Sequence, residues 1–188
     1  MNKKLITVTA AVIVILGLTA YLSSVNTSSR ENSLASNVET QDIKQLVSDF
    51  SEGKIIAQSA SITPKQLIVT TSNNKKSTYK LPEDEFFVSI APYINNTHPC
   101  AVHNLVTCRG ELVEQEFNVY IETIEGKVIL DQPLETQVNG FIDLWLPRDQ
   151  KYRVTISRDG KSATSEVSTY DNENTCITTM QLIDDQSA

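Results

Sequence analysis

A chain of 188 residues with 40% apolar side chains holds enough material for one ordinary domain with a core, and is too apolar to be wholly disordered. Its formal charge of -7 and the scatter of its acidic residues, with no long basic run, exclude a surface that tracks phosphates. Nucleic acid is not an expected partner.

Lys3 and Lys4 precede an uncharged run from Leu5 to Leu22. A short positive head followed by an apolar stretch is the pattern of a secretory signal or an N-terminal anchor, so residues 1–22 are assigned to one of these. The run sits at the lower edge of what spans a bilayer, and its length does not choose between them. Thr19 and Ala20 are small, but Leu18 spoils the cleavage signal, and no cysteine follows that could be lipidated. Either way the remainder is exported and touches a membrane only through this segment. Residues 23–37 are polar and aperiodic, the composition of a flexible linker.

From Val38 to Glu52 the apolar positions Val38, Ile43, Leu46, Val47 and Phe50 share one helical stripe, and Gly53 follows as a stop. Lys54 to Ile62, Gln66 to Thr71 and Ser77 to Leu81 are β-prone, with Asn73-Asn74 as a hairpin turn. Residues 38–84 thus read as a small α+β N-terminal domain. Beyond Glu85 the pattern is β throughout: Phe86 to Ile94, Glu116 to Thr123, Lys127 to Leu130, Phe141 to Leu146, Tyr152 to Ser157, Ser162 to Ser168 and Cys176 to Leu182. Glu125-Gly126, Asn139-Gly140, Pro147-Arg148-Asp149 and Asp159-Gly160 supply the turns. Short strands at this spacing predict an antiparallel β-sandwich, immunoglobulin- or transthyretin-like, over residues 85–184. The fold class is therefore mainly β with a small α+β N-terminal unit.

Between Tyr93 and Glu111 no regular element is predicted, and a long irregular connection inside a β domain is usually functional. His98, Cys100, His103 and Cys108 all lie in it, and Cys176 is the only other histidine or cysteine in the chain. Thiolate sulfur favours Cu(I), Zn(II) or iron–sulfur clusters, and imidazole suits copper and zinc alike. Only Cys100 and His103 have the close spacing of a zinc-finger pair, so the set makes a poor zinc finger. It suits the low coordination number of Cu(I) better, with Cu(II) and Zn(II) as the other candidate ions. Pro99 stiffens the loop between His98 and Cys100.

Export supplies a competing reading, because thiols pair in an oxidising compartment and three cannot all pair within one chain. A disulfide from Cys100 to Cys108, or from either to Cys176, would stabilise by about 2–4 kcal/mol and leave one free thiol. Composition alone ranks that arrangement slightly ahead of a metal site. Each histidine taken singly is as readily a surface loop residue as a ligand. Met180 would share a strand face with Cys176, either as a thioether ligand or as core packing, the second being the ordinary case. Asp171-Asn172-Glu173-Asn174 lacks a regular calcium-ligand spacing and reads as a solvated turn. A glycine-rich phosphate loop, HExxH, a nucleophile elbow and CxxC are all missing, so an enzyme is not expected.

The strings Phe87-Val88-Ser89-Ile90-Ala91-Pro92-Tyr93, Thr97-His98, Cys100, His103 and Cys108-Arg109-Gly110-Glu111-Leu112 closely resemble the CueP family of periplasmic copper-binding proteins. Asn139-Gly140-Phe141, Trp145-Leu146-Pro147-Arg148 and Thr175-Cys176-Ile177-Thr178-Thr179 extend the match, over roughly residues 40 to 183. The resemblance implies copper-associated cysteines at Cys100, Cys108 and Cys176, with His98 and His103 as accompanying candidates. It also implies a periplasmic location, copper sequestration under copper stress, delivery to an exported Cu,Zn superoxide dismutase, and a homodimer formed largely through the N-terminal unit. It moves the metal reading ahead of the disulfide. Two readings of other classes stay open: a thiol–disulfide exchange protein, and a disulfide-stapled adhesion module.

Overall fold

The structure, a computed structural model, describes residues 43–185; the expected signal or anchor, the linker and the start of the expected helix lie outside them. Helix α1 covers residues 43–51 of this part. Ile43, Val47 and Phe50 are its buried stripe, at helical spacing. The helix ends where Gly53 takes a φ of 72°, its amide donating to Phe50 O while the Lys54 amide donates to Asp49 O. These paired bonds satisfy the last carbonyls and favour glycine at the left-handed position. The amides of Lys54 and Ile55 both donate to Asp49 O, and the strand expected from Lys54 begins only at Ser59.

A meander of β1 (Ser59–Ile62), β2 (Gln66–Thr70) and β3 (Lys76–Lys80) follows, and its order β3-β2-β1-β5 is completed by β5 (His103–Asn104). Asn74, at a φ of 63°, turns β2 into β3 as the Asn-Asn pair predicts. The exposed edge β3 carries Lys76 and Lys80, charges that discourage pairing with another chain. β5 is the one strand within the connection predicted to be irregular.

The remaining strands form two sheets. β4 (Glu85–Ile90), β8 (Ile142–Pro147) and β11 (Cys176–Ile177) make one, in the order β11-β4-β8. β6 (Glu116–Thr123), β7 (Val128–Glu135), β9 (Lys151–Arg158), β10 (Lys161–Ser168) and β12 (Ile183–Asp184) make the other, in the order β12-β10-β9-β6-β7. Phe86, Val88, Ile142 and Leu144 of the first pack against Phe117, Val119, Val154 and Ile156 of the second, the alternating inward faces of a sandwich. The pairing is antiparallel except that β11 runs parallel to β4.

β4 is buried on both faces, which explains its unbroken apolar run. Phe86, Val88 and Ile90 enter the sandwich core, whereas Phe87 points the other way into the core formed by α1 and β1–β2. There Phe87 meets Trp145 of β8 edge-on, with ring centroids 5.2 Å apart. Asp143 of β8 ties the layers by accepting hydrogen bonds from Ser51 Oγ and Ser89 Oγ, each 2.5 Å. The three-stranded sheet is thus shared by both cores.

Four strands of these sheets differ from the expectation: β4 stops at Ile90 and not at Ile94, β12 lies beyond the last expected strand, and β7 and β11 differ in length. β7 continues to Glu135 through Pro133, which an edge strand tolerates because a missing N–H there disturbs only one ladder. The last expected strand, Cys176 to Leu182, stops at Ile177. The Ala91 amide donates to Ile177 O but the Tyr93 amide to Met180 O, so the ladder slips by one residue. That slip sends Met180 into the sandwich core and away from any ligand role. No helix among the described residues is long and apolar enough to cross a membrane.

Candidate metal centre

The centre is built where the connection after β4 crosses three other segments. β5 pairs with β1, placing His103 opposite Ile62 and Asn104 opposite Ser61. Asn104 makes so short a strand hold. Its Oδ1 accepts from the amides of Val106 and Thr107, both at 3.1 Å, and its Nδ2 donates to Ser59 Oγ at 2.8 Å. This side-chain turn folds the chain back, so that the Cys108 amide donates to Asn104 O at 3.0 Å and the Asn104 amide donates to Cys108 Sγ at 3.4 Å.

Thr175 joins this turn to the strand that bears Cys176. Its Oγ1 accepts from the His103 amide at 3.0 Å and donates to Ile62 O at 2.6 Å. Ala101 O accepts from the amides of Thr175 and Cys176, at 3.0 and 3.3 Å. Phe141 closes the site from the β7–β8 turn, its ring centroid 4.4 Å from that of His103, in a cluster with Ala91, Cys176, Cys100 and Cys108. The Gly110 amide holds that turn in place by donating to Asn139 O at 2.7 Å.

All five candidate residues are brought to one place. Cys100 Sγ lies 3.7 Å from Cys108 Sγ, and Cys176 Sγ lies 3.6 Å from His103 Nδ1. Among the described residues, two groups of donor atoms lie within 4.8 Å of one another: His98, Cys100 and Cys108, and His103, Cys108 and Cys176. Cys108 belongs to both. The first group is half-buried, while His103 is 0% and Cys176 1% exposed.

The three cysteines are present as thiols. A disulfide needs its sulfurs about 2.05 Å apart. Two sulfurs bound at about 2.3 Å to one ion stand about 3.8–4.0 Å apart at tetrahedral to trigonal angles, close to the spacing of Cys100 and Cys108. The Cys108 thiol is held well below the ordinary thiol range by hydrogen bonding from Cys176, then from His103 and the Asn104 amide. Cys176 is pushed up by the same bond to Cys108 and by burial, and Cys100 is raised chiefly by burial. These surroundings favour deprotonation at Cys108 over Cys100 and Cys176. His103 Nε2 is buried without a hydrogen-bond partner, a state that costs about 1–3 kcal/mol unless the atom has a use. Soft sulfurs beside an imidazole, whose Nδ1 lies 3.6 Å from Cys176 Sγ, fit copper.

Glu111 had no role assigned from sequence. Its carboxylate accepts from the amides of Ile94 (2.7 Å), Asn95 (2.9 Å) and Asn96 (3.2 Å), pinning the start of the segment that presents His98 and Cys100. Desolvation pushes this carboxyl up, but the amides of Asn95, Ile94 and Asn96 outweigh it and the net shift is downward. A lowered folded pKa contributes stability that is present above the unfolded value, about pH 4.3, and is lost as pH falls through the folded value. Glu111→Gln is expected to weaken this anchor by about 1 kcal/mol at neutral pH. The measurement is amide hydrogen exchange at Ile94, Asn95 and Asn96, faster in the variant at pH 7 and converging with wild type in strong acid. Equal exchange at pH 7 would show that the carboxylate does not hold the loop.

Asp171, in the acidic turn, accepts from Arg148 at 2.9 Å and pairs with Lys65 at 2.7 Å. Its charge is used in ion pairs, consistent with a solvated turn.

The family model "Periplasmic copper-binding protein CueP" matches residues 41–181. A solved structure titled "Crystal Structure of S.CueP" superposes with a TM-score of 0.70 at 33% identity, covering 75% of this chain and 88% of that one. A search of curated proteins finds no match. The family match spans the helix, both cores and every candidate ligand, and the chain belongs to the CueP family of periplasmic copper-binding proteins.

Proposed function

We propose that the chain binds Cu(I) through Cys100, Cys108 and Cys176 with a loop histidine, buffers it in the periplasm, and hands it to an exported cuproenzyme such as a Cu,Zn superoxide dismutase. The observation that carries this reading is the pair of donor groups that share Cys108, one with His98 and Cys100 and one with His103 and Cys176, beside a buried His103 Nε2 that has no protein partner. No turnover is involved. Thiol reduction of Cu(II) is an ancillary step that competes with holding the ion: two Cu(II) ions each take one electron, two thiols join as a disulfide, two protons leave, and those two sulfurs are lost to the Cu(I) site. Residues 1–22 serve as signal or anchor, 23–37 as linker, and the N-terminal unit as the dimer surface.

Native mass spectrometry of the reduced chain with Cu(I), Cu(II) and Zn(II) tests this. One Cu(I) per chain, retained in preference to Zn(II), is the expected result, and activation of a metal-free Cu,Zn superoxide dismutase by the loaded chain tests delivery. The low thiol of Cys108 beside Cys100 also supports thiol–disulfide exchange. A Cys100–Cys108 disulfide that persists when Cu(I) is supplied under reducing conditions would favour that second reading.

A further inference from the structure

We propose that copper enters and leaves through two successive donor triads that pivot on Cys108: His98 and Cys100 are the exchange ligands, His103 and Cys176 the holding ligands. The proposal rests on the copper reading above and assigns the two histidines different roles within it.

Five residues with soft or imidazole donors converge, more than the roughly two to four that Cu(I) takes at once. The surplus is divided by burial. His98, Cys100 and Cys108 are half-buried, whereas His103 and Cys176 are closed off from solvent. The supports differ as well. β5 and β11 fix His103 and Cys176 through the Ile62 and Ser89 pairings and through Thr175. The exchange side is anchored only near its ends. Thr97 Oγ1 donates to Thr178 O at 2.6 Å, and Ala101 O receives the Thr175 and Cys176 amides. Cys100 between them hydrogen-bonds within its own loop, to Val102 O at 3.6 Å and Cys108 at 3.7 Å.

An ion held solely by the buried set would need to lose two ligands with no replacement in reach, which makes release slow. Stepwise replacement around Cys108 removes that barrier. Moving inward, the bonds from copper to His98 nitrogen and Cys100 sulfur break, and bonds to His103 nitrogen and Cys176 sulfur form. The Cys176 thiol proton passes to the Cys100 thiolate, so charge balances and the oxidation state of copper does not change. Release is the reverse.

The test compares the full-length reduced chain with His98→Ala and His103→Gln, using bicinchoninate as the competing Cu(I) chelator. Stopped-flow absorbance gives the exchange rate and equilibrium titration the affinity. In His98→Ala the exchange rate is expected to fall roughly tenfold or more while affinity changes less than about threefold; in His103→Gln affinity is expected to fall roughly tenfold and release to speed up. Equal loss of affinity in both variants would mean a single site using both histidines, and wild-type rates in His98→Ala would mean that His98 is idle; either overturns the proposal. Should His103→Gln fail to fold, His98→Ala still decides, because the single-site alternative requires it to lose affinity. A wild-type chain that takes up no Cu(I) at all would instead refute the copper reading.

Discussion

Cys176→Ser is expected to abolish tight Cu(I) binding while leaving the fold nearly intact. Serine is close in size to cysteine, and the side chain sits in a small cluster with Ala91 and Phe141 outside the main sandwich core. Its hydroxyl can hydrogen-bond to His103 Nδ1, which now faces the sulfur at 3.6 Å. The stability change should therefore stay near the ordinary value of about 1 kcal/mol for a point substitution. Copper responds differently, because a neutral hydroxyl is a hard, weak ligand for a soft ion. The loss of a direct ligand should exceed the roughly 10–100-fold that follows from changing an outer partner of a metal site. Competition titration with a Cu(I) chelator, beside thermal melting of the metal-free chain, separates the two effects. One copper still bound per chain at wild-type affinity would remove Cys176 from the site.

The second large effect is expected at Gly110. A Cβ there would fall 2.3 Å from Gly140 O, and one on Gly140 would fall 2.8 Å from three backbone atoms of Gly110. Because the obstructing atoms are main chain, no side chain can rotate away. Gly110→Ala must separate the Cys108 segment from the turn carrying Phe141, at a cost of about 2–4 kcal/mol by analogy with the larger steric substitutions. Gly126 is the control. Its φ of 86° carries backbone strain, about 1–2 kcal/mol for alanine, but nothing lies within 4 Å of its added Cβ. Gly126→Ala should lower the melting temperature modestly and leave Cu(I) affinity unchanged, whereas Gly110→Ala should lower both, affinity by roughly tenfold or more if Cys108 moves by even a fraction of an ångström. Equal copper affinity in the two variants would show that the glycine contact does not position Cys108.

Local patterns carried well from sequence to structure. The apolar stripe of Ile43, Val47 and Phe50 and the stop at Gly53 are properties of a few successive residues, as are the turns at Asn74, Gly140 and Gly160. What was hidden is non-local. Pro133 sits inside a strand because β7 is an edge, and neighbour order cannot be read from the strand itself. β5 exists because Asn104 meets Ser59 from a separate hairpin. Thr175 and Glu111 stood in strings matched to the family without any local sign of what they hold.

The donor inventory was determined by sequence alone. Two histidines and three cysteines are all the chain has, four of them within His98 to Cys108, and their soft chemistry does not depend on the fold. Which donors sit together, and which are shut away from water, only the tertiary structure decided. Cys176 comes 68 residues after Cys108, and it reaches His103 because β11 joins β4 in parallel while Thr175 bridges to β5. Spacing along a chain sets the distance between ligands only when one element carries them; across elements, pairing and packing set it, and here they divide five donors into a half-buried triad and a buried one that share Cys108.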